Sequence, residues 1–297
     1  STEDEQFVED ACEKMNIKFY AKRINVEQIA KETKRGTEET GRTIRYDFFN
    51  EILKKEHANK IAIAHNMNDN AETMLINLIR GSGLNGLEGI QPQEYKKYIR
   101  PLINCTRTEI EEYCDKYNLE PRIDYTNKEN IYTRNIIRNQ IIPKLEEINP
   151  NIINTLSRTS KIIKENNNYT KIKAQEAYQK LKDLEIKEGQ TTIIDKKGIQ
   201  ETTNIDKKQQ QNSIQLNKKK QINLDAKEFN KLENTIKTNV IIFIIEELQG
   251  TSRNTEKANI DDIIKLAQRN IGNKYVKINK NLEIKLQDKK LQFIFKE

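Results

Sequence analysis

Long apolar runs are missing from this sequence. The longest, Val240 to Ile245, covers six residues, against the roughly 18 that a membrane-spanning helix needs, so it suits one buried helix or strand and no membrane partner is expected. Cysteine is scarce. Cys12, Cys105 and Cys114 are three in number and include no C-x-x-C pair, which argues against a disulfide framework and a zinc site and fits a reducing, cytoplasmic setting. The opening Ser1-Thr-Glu-Asp-Glu5 is acidic and has no apolar core, so no signal peptide is expected there. Proline is absent beyond Pro150: all five prolines, and the glycines 81, 83, 86 and 89 among the ten, fall between residues 81 and 150. Turn chemistry is concentrated in that stretch, as it is near many functional sites.

The residues that are present set further bounds. With 297 residues and 33% charged side chains there is room for one large domain or two ordinary ones, and Ile, Leu, Phe and Tyr recur often enough to build cores. The net charge of +7 is unevenly placed. Residues 1–150 carry 23 Lys and Arg against 26 Asp and Glu, net −3, and residues 151–297 carry 29 against 19, net +10. A basic half beside a slightly acidic one is what a polyanion-docking domain attached to a catalytic domain looks like; a solvated, Lys-rich surface has the same composition.

Thr37, with Glu38 and Glu39 behind it, reads as the cap of a helix whose stripe is Phe48, Phe49, Ile52 and Leu53. Lys60-Ile-Ala-Ile-Ala64 reads as a buried strand. Asp69 with Glu72 has capping-box spacing for a second helix buried through Ala71, Leu75, Leu78 and Ile79. Helix, strand and helix in that order predict an α/β domain on a parallel sheet. Further helices are expected over Glu109–Tyr117, Tyr132–Leu145 and Ile152–Leu184. A polar stretch with Gln209-Gln-Gln211 and Lys218-Lys-Lys220 has no pattern to force into structure. Helices near 226–248 and 260–270 and strands near 274–279 and 281–296 predict a smaller α+β domain. The division expected is 1–145, a helical and polar linker 146–225, and 226–297.

Three groups could carry chemistry. His65-x-x-x-Asp69-x-x-Glu72 places an imidazole and two carboxylates at a strand's C-terminal edge, where open α/β sheets bind ligands; Asp69 and Glu72 share a helix face and could hold Mg2+, or serve only as a capping box. Arg80-Gly-Ser-Gly-Leu-Asn-Gly-Leu-Glu-Gly-Ile90 is neither a Walker loop nor a G-x-G-x-x-G fingerprint, and fits either a loop folded over a nucleotide or RNA, or a helix C-cap. Arg134 and Arg138, four apart, could grip neighbouring phosphates or pair with Asp124 and Glu129. Arg42 and Arg45 form another basic pair.

Taken together, Glu39-Thr-Gly-Arg42-Thr-Ile-Arg45-Tyr46, His65-Asn-Met-Asn-Asp69-Asn-Ala-Glu72-Thr73 running into the Arg80 loop, Arg100-Pro-Leu, Asp124-Tyr-Thr-Asn127 and Tyr132-Thr-Arg-Asn-Ile-Ile-Arg138 resemble, in order and spacing, the tRNA(Ile)-lysidine synthetases of the PP-loop ATP-pyrophosphatase superfamily. The likeness is strongest over about residues 1–150. It implies an adenine nucleotide alpha hydrolase-like, Rossmann-like parallel-sheet domain followed by a tRNA-binding α+β domain. The activity implied is a ligase reaction in which ATP adenylates C2 of the wobble cytidine in the CAU anticodon of tRNA(Ile) and free L-lysine displaces AMP to leave lysidine. Asp69, Glu72 and His65 would be catalytic; Arg45, His65 and Arg138 would bind the nucleotide; Arg80, Arg134 and Arg138 would bind tRNA; Asp69 and Glu72 would handle Mg2+; a homodimer is compatible with it. The family's Ser-Gly-Gly-x-Asp-Ser phosphate loop is not found in this sequence, so the resemblance is to an N-terminally truncated synthetase with an incomplete nucleotide site, expected to be inactive alone. Another PP-loop tRNA modifier, such as a cytidine 2-thiolase, and a non-catalytic tRNA-binding fragment are the alternatives; unpaired cysteines count against the first.

Overall fold

The computed structural model describes residues 2–122, 133–187, 219–252, 255–269 and 275–296, and the chain divides into two compact units, residues 1–164 and 165–297. Asp124–Asn127, Glu129, Tyr132, Gln209–Gln211 and Lys218 lie outside the described residues.

The first unit runs α1 (Thr2–Lys14), α2 (Val26–Thr33), α3 (Thr37–Lys55), β1 (Ile61–Ala62), α4 (Met67–Ile79), α5 (Leu84–Leu87), β2 (Gln93–Glu94), β3 (Tyr98–Ile99), α6 (Arg107–Lys116), α7 (Thr133–Ile136), a π-helical turn (Ile137–Ile141), α8 (Ile142–Ile148) and the opening turns of α9 (Ile152–Lys187). The expected parallel sheet is present in reduced form. β1 pairs parallel with β3, Ile61 opposite Tyr98, and β2 pairs antiparallel on the other side of β3. Only two residues of the Lys60–Ala64 segment are strand, although Ile63 still donates to the Ile99 carbonyl at 2.9 Å. Parallel pairing brings the C-terminal ends of β1 and β3 to one edge, so the segments that leave Ala62 and Ile99 meet there.

Local chemistry corrects three expectations. Gly36, extended at φ −63° and ψ 144°, is the cap of α3, and Thr37 is its first helical residue. Phe48, Phe49, Ile52 and Leu53 are half-buried as a stripe should be. In α4, Ala71 and Leu75 are buried but Leu78 and Ile79 are 56% and 66% exposed, because the cover that Ile137, Ile142 and Ile153 supply reaches only Met67, Ala71, Leu75 and Ile76. The helix expected over Tyr132–Leu145 is interrupted by its π turn. Pro143, at the start of α8, has no N–H to give and crowds the carbonyl four residues back, so the backbone widens just before it.

The glycine-dense segment is a pinned turn. Gly81, φ +71°, closes α4 by donating to the Leu78 carbonyl at 3.0 Å. Asn77 Nδ2 donates to the Gly86 carbonyl at 2.7 Å, Ser160 Oγ to the Glu88 carbonyl at 2.7 Å, and Ile90 N–H to Asn70 Oδ1 at 2.6 Å. Gly89 sits at φ +65°, and a Cβ there would lie 2.1 Å from Asn70 Oδ1.

The second unit holds the later turns of α9, then β4 (Lys219–Asp225), α10 (Ala226–Asn230), α11 (Asn234–Gln249), α12 (Lys257–Gln268), β5 (Tyr275–Lys277), β6 (Leu282–Gln287) and β7 (Lys290–Lys296). Its sheet has the order β4-β7-β6-β5, antiparallel throughout. Leu282, Ile284 and Leu286 alternate inward on β6, and the apolar run Val240–Ile245 lies in α11, with Val240, Ile241, Ile244 and Ile245 fully enclosed against that face. Asp288 and Lys289, both at positive φ, form the two-residue turn between β6 and β7. Lys219 and Lys220, from the tract read as patternless, open β4: Ile222 and Leu224 behind them pair with Phe293 and Leu291 and set the register. The fold is thus an α/β domain followed by a smaller α+β domain, and no helix among the described residues is long and apolar enough to cross a membrane.

Two glycine substitutions should separate strain from collision. Gly81→Ala meets only the left-handed backbone penalty, about 1 kcal/mol, since nothing lies within 4 Å of its Cβ position. Gly89→Ala adds a clash that breaks the Asn70–Ile90 bond, about 1 kcal/mol more. Urea denaturation should rank Gly89→Ala clearly below Gly81→Ala; equal midpoints would mean that Asn70 moves aside freely.

Candidate active site

α4 starts where it does because Asn66 caps it. The Asn66 side chain accepts from Asp69 N–H at 3.0 Å, and Asp69 Oδ2 accepts from Asn66 N–H at 3.0 Å. The capping box is therefore Asn66 with Asp69, three residues earlier than the Asp69–Glu72 box that the spacing suggested, and Glu72 is released from it. Asn66 was detectable, since Asn-x-x-Asp has the same spacing; two overlapping boxes cannot be ranked by spacing alone.

Glu72 is 1% exposed, and a carboxylate so far from water has to be met by charge and hydrogen bonds. Arg138, in the π turn, meets it side-on: Nε donates to Oε1 at 2.6 Å and Nη2 to Oε2 at 2.9 Å, while Nη2 also reaches Asp69 Oδ1 at 3.2 Å. Arg134 donates from Nη2 to Thr73 Oγ1 at 3.0 Å, and its Nε stands 3.5 Å from Glu72 Oε2. Thr73 in turn donates to the Asp69 carbonyl at 2.8 Å. The sequence singled out both carboxylates and both arginines, and the structure joins them to each other. Two carboxylates and two guanidinium groups cancel in formal charge, so the cluster is an ordered ion network more than a free phosphate grip. Burial pushes the Glu72 carboxyl above its ordinary range, with Arg138's hydrogen bonds and charge pulling the other way. Desolvation opposes the charge of Arg138, but the carboxylates of Glu72 and Asp69 hold its guanidinium firmly protonated.

His65 follows β1 at the shared edge and Arg100 follows β3 directly. Arg100 is 4% exposed and donates from Nε to His65 Nδ1 at 3.1 Å, from Nη1 to the Gln91 carbonyl at 2.5 Å and from Nη2 to Glu94 Oε2 at 2.8 Å. Burial lowers the His65 pKa from its ordinary 6.5; Asp69 pulls it up, and the positive charges of Arg100, Arg134 and Arg42 add to the lowering. The imidazole is neutral at neutral pH. Sequence reasoning quoted Arg100 within a motif and assigned it no role, because nothing local says which strand end it shares.

Arg45 and Arg80 stand apart. Arg45 is exposed on α3 and Arg80 is the exposed C-cap of α4, eleven residues beyond Asp69, and neither hydrogen-bonds nor ion-pairs with the cluster. Arg42, whose guanidinium lies 4.7 Å from the Tyr46 ring centroid, is the member of its pair that His65 senses. Each of the four carboxylate oxygens of Asp69 and Glu72 accepts one hydrogen bond from Asn66 or Arg138, so the Mg2+ role expected of them would draw on the second lone pair of each oxygen. Among the described residues, no three His, Cys, Asp or Glu side chains gather as metal ligands would.

Glu72→Gln should cost ~2–4 kcal/mol in urea denaturation, since it strands Arg138 beside an amide, whereas Asp69→Asn, which weakens a helix cap, should cost about 1 kcal/mol. Similar losses would mean that the ion network adds little to stability. His65 generates a pH dependence whose sign is set by its lowered folded pKa. The folded state binds the proton less well, so this contribution to stability is complete above pH 6.5 and is lost as pH falls below it toward the folded pKa. His65→Gln should flatten that part of a stability–pH curve.

A family profile described as a PP-loop domain matches residues 1–145. The tRNA(Ile)-lysidine synthase of Clostridioides difficile (strain 630) is 37% identical over 280 residues, 94% of this chain and 54% of that protein. Its counterpart in Clostridium perfringens (strain 13 / Type A) is 37% identical over 297 aligned positions, 97% of this chain and 56% of that protein. The one in Clostridium acetobutylicum is 46% identical over 177 residues, 59% of this chain and 38% of that protein. The chain spans about half the length of the curated relatives that it matches along nearly all of its own. Residues 1–145 match the PP-loop domain family, and the chain as a whole is similar to tRNA(Ile)-lysidine synthases along nearly all of its length.

Proposed function

We propose that this chain serves the synthesis of lysidine, the ATP-dependent joining of free L-lysine to C2 of the wobble cytidine in the CAU anticodon of tRNA(Ile). One observation carries the reading: identity of 37% sustained over 94% of the chain, so that the ion network and the basic second unit fall within one alignment to proteins of that name. The reaction has two steps. The C2 oxygen of the base attacks the α-phosphorus of ATP and pyrophosphate leaves; the lysine amine then attacks C2, the C2–O bond breaks, AMP departs with the oxygen, and the amine gives up a proton. The tRNA substrate places the work in the cytoplasm.

The residues divide accordingly. Asp69, the more open of the two carboxylates with a side chain 17% exposed, receives the lysine amine, and Glu72 holds Arg138 in place. Arg138 and Arg134 face the negative charge that develops as pyrophosphate and AMP leave. His65 lines the nucleotide pocket as a neutral group. Arg45 and Arg80, exposed and unpaired with the cluster, are left for ATP phosphate and for tRNA respectively. Asp69 and Glu72 would offer carboxylate oxygens to a Mg2+ brought in with ATP, where the ion would offset phosphate charge; no step is routed through it. Residues 151–297 carry a net +10, of which residues 226–297 hold 14 Lys and Arg against 10 Asp and Glu; this excess supports tRNA docking by the α+β domain at 226–297, to which β4 (Lys219–Asp225) adds a strand, with the rest of 146–225 linking it to the catalytic domain 1–145.

Joined to a strand and Ser-Gly-Gly-x-Asp-Ser loop of the family, the chain should incorporate labelled lysine into a CAU-anticodon tRNA(Ile) transcript only when ATP is present. Arg138→Lys, which loses the side-on fork, should lower the rate on the order of 10²-fold. A joined enzyme that binds the tRNA and never incorporates lysine refutes the activity. In this chain alone, tRNA affinity should fall with salt at a log–log slope of about −0.7 to −0.9 per phosphate contact, and replacing lysines of the second unit should flatten the slope; a slope that those replacements leave unchanged refutes the docking role.

A further inference from the structure

The histidine at the sheet edge is held by an arginine, and that reverses the proton arrangement most familiar for a site histidine. A carboxylate beside Nδ1 keeps a proton there and leaves Nε2 as a base. A guanidinium has donors and no acceptor, so Arg100 Nε, 3.1 Å from Nδ1, requires Nδ1 to be an unprotonated acceptor. The single proton of the neutral ring is then on Nε2. Arg100 is not free to turn away: its side chain is 2% exposed, and its other two nitrogens are committed to the Gln91 carbonyl and to Glu94 at 2.8 Å. The parallel pairing of β1 with β3 delivers the two residues to the same edge. The charged groups around the ring agree. Arg42 on α3, Arg100 after β3 and Arg134 on α7 all disfavour a second proton, and Asp69 on α4 alone favours it.

We propose that Arg100 is a positioning residue that fixes His65 as a neutral Nε2–H donor for an oxygen acceptor of the substrate. An imidazole locked this way supplies a directed hydrogen bond without adding charge to the ion network beside it, and cannot act as a general base through Nε2. The acceptor it fits is a phosphoryl oxygen on which negative charge builds, as at the α-phosphate during adenylation; this part rests on the function proposed above, whereas the tautomer does not.

The chain has only two histidines, His57 and His65, so a long-range proton–nitrogen spectrum of the 15N-labelled chain resolves the question once His57→Gln assigns the signals. His65 should appear at neutral pH as a single tautomer, bare at Nδ1 and protonated at Nε2. In Arg100→Met, which keeps the volume and removes the donor, the tautomers should mix and the ring should protonate more readily. A wild-type His65 protonated at Nδ1 overturns the proposal whether or not any variant folds, as does a folded Arg100→Met with the wild-type tautomer and titration. In the joined enzyme, Arg100→Met should lower kcat on the order of 10²-fold with little change in KM for tRNA, and Arg100→Lys should recover part of the loss. An altered tautomer with unchanged kcat overturns the donor role. A wild-type joined enzyme that makes no lysidine counts against the proposed function instead, while the tautomer is read in this chain with no substrate and is decided separately.

Discussion

Glu72 lies almost wholly out of water, and the site is organised by what that burial demands. Leaving a carboxylate there unpaired would cost several kcal/mol, so Arg138 closes on both of its oxygens and the segment carrying Arg138 is held against α4. That segment is irregular: Pro143 prevents an ordinary helix across it, and the π turn that results carries Arg138. Ile137 and Ile142 on either side of the arginine pack on Met67, Ala71 and Leu75.

The network's neutrality has chemical consequences. Arg138, already satisfied by carboxylates, does not attract a phosphate as a free arginine would, while the buried Nε of Arg134 makes no hydrogen bond; donors held in place stabilise developing charge without first having to reorganise. His65 extends the same logic. Its proton is placed by Arg100, its charge is suppressed by burial and by three arginines, and it lies at the edge where β1 and β3 end together. The glycine turn after α4 is equally fixed, tied to Asn70, Asn77 and Ser160, so α4 presents an ordered surface from its cap at Asn66 to its close at Gly81.

The second unit is built by a different rule. Its sheet is antiparallel with alternating inward residues, and α11 closes it with Val240, Ile241, Ile244 and Ile245, which no water reaches. Nothing in its described residues resembles the ion network, and its buried side chains are apolar with few exceptions, among them Lys237 on α11. A packed platform with lysines outside suits a surface that gains affinity from many weak phosphate contacts.

Periodicity and punctuation were sufficient for much of this. The alternation of Leu282, Ile284 and Leu286 announced strands, the run at Val240–Ile245 announced a buried element, and the pairs Asp69 with Glu72 and Arg134 with Arg138 marked the site, because such patterns depend on neighbours three or four residues apart. Register-level detail was less legible: the true cap Asn66 and the π turn before Pro143 each have a local signal that competes with an equally good neighbour. Pairing across the chain was not legible at all. That Glu72 belongs to Arg138, 66 residues on, and His65 to Arg100, 35 residues on, follows from which helix packs on which and which strands run parallel. The sequence by itself determined the residue types and the helix faces that carry them; only the tertiary structure decided their partners, because a buried charge or an imidazole nitrogen takes its state from whatever the fold brings within hydrogen-bond distance.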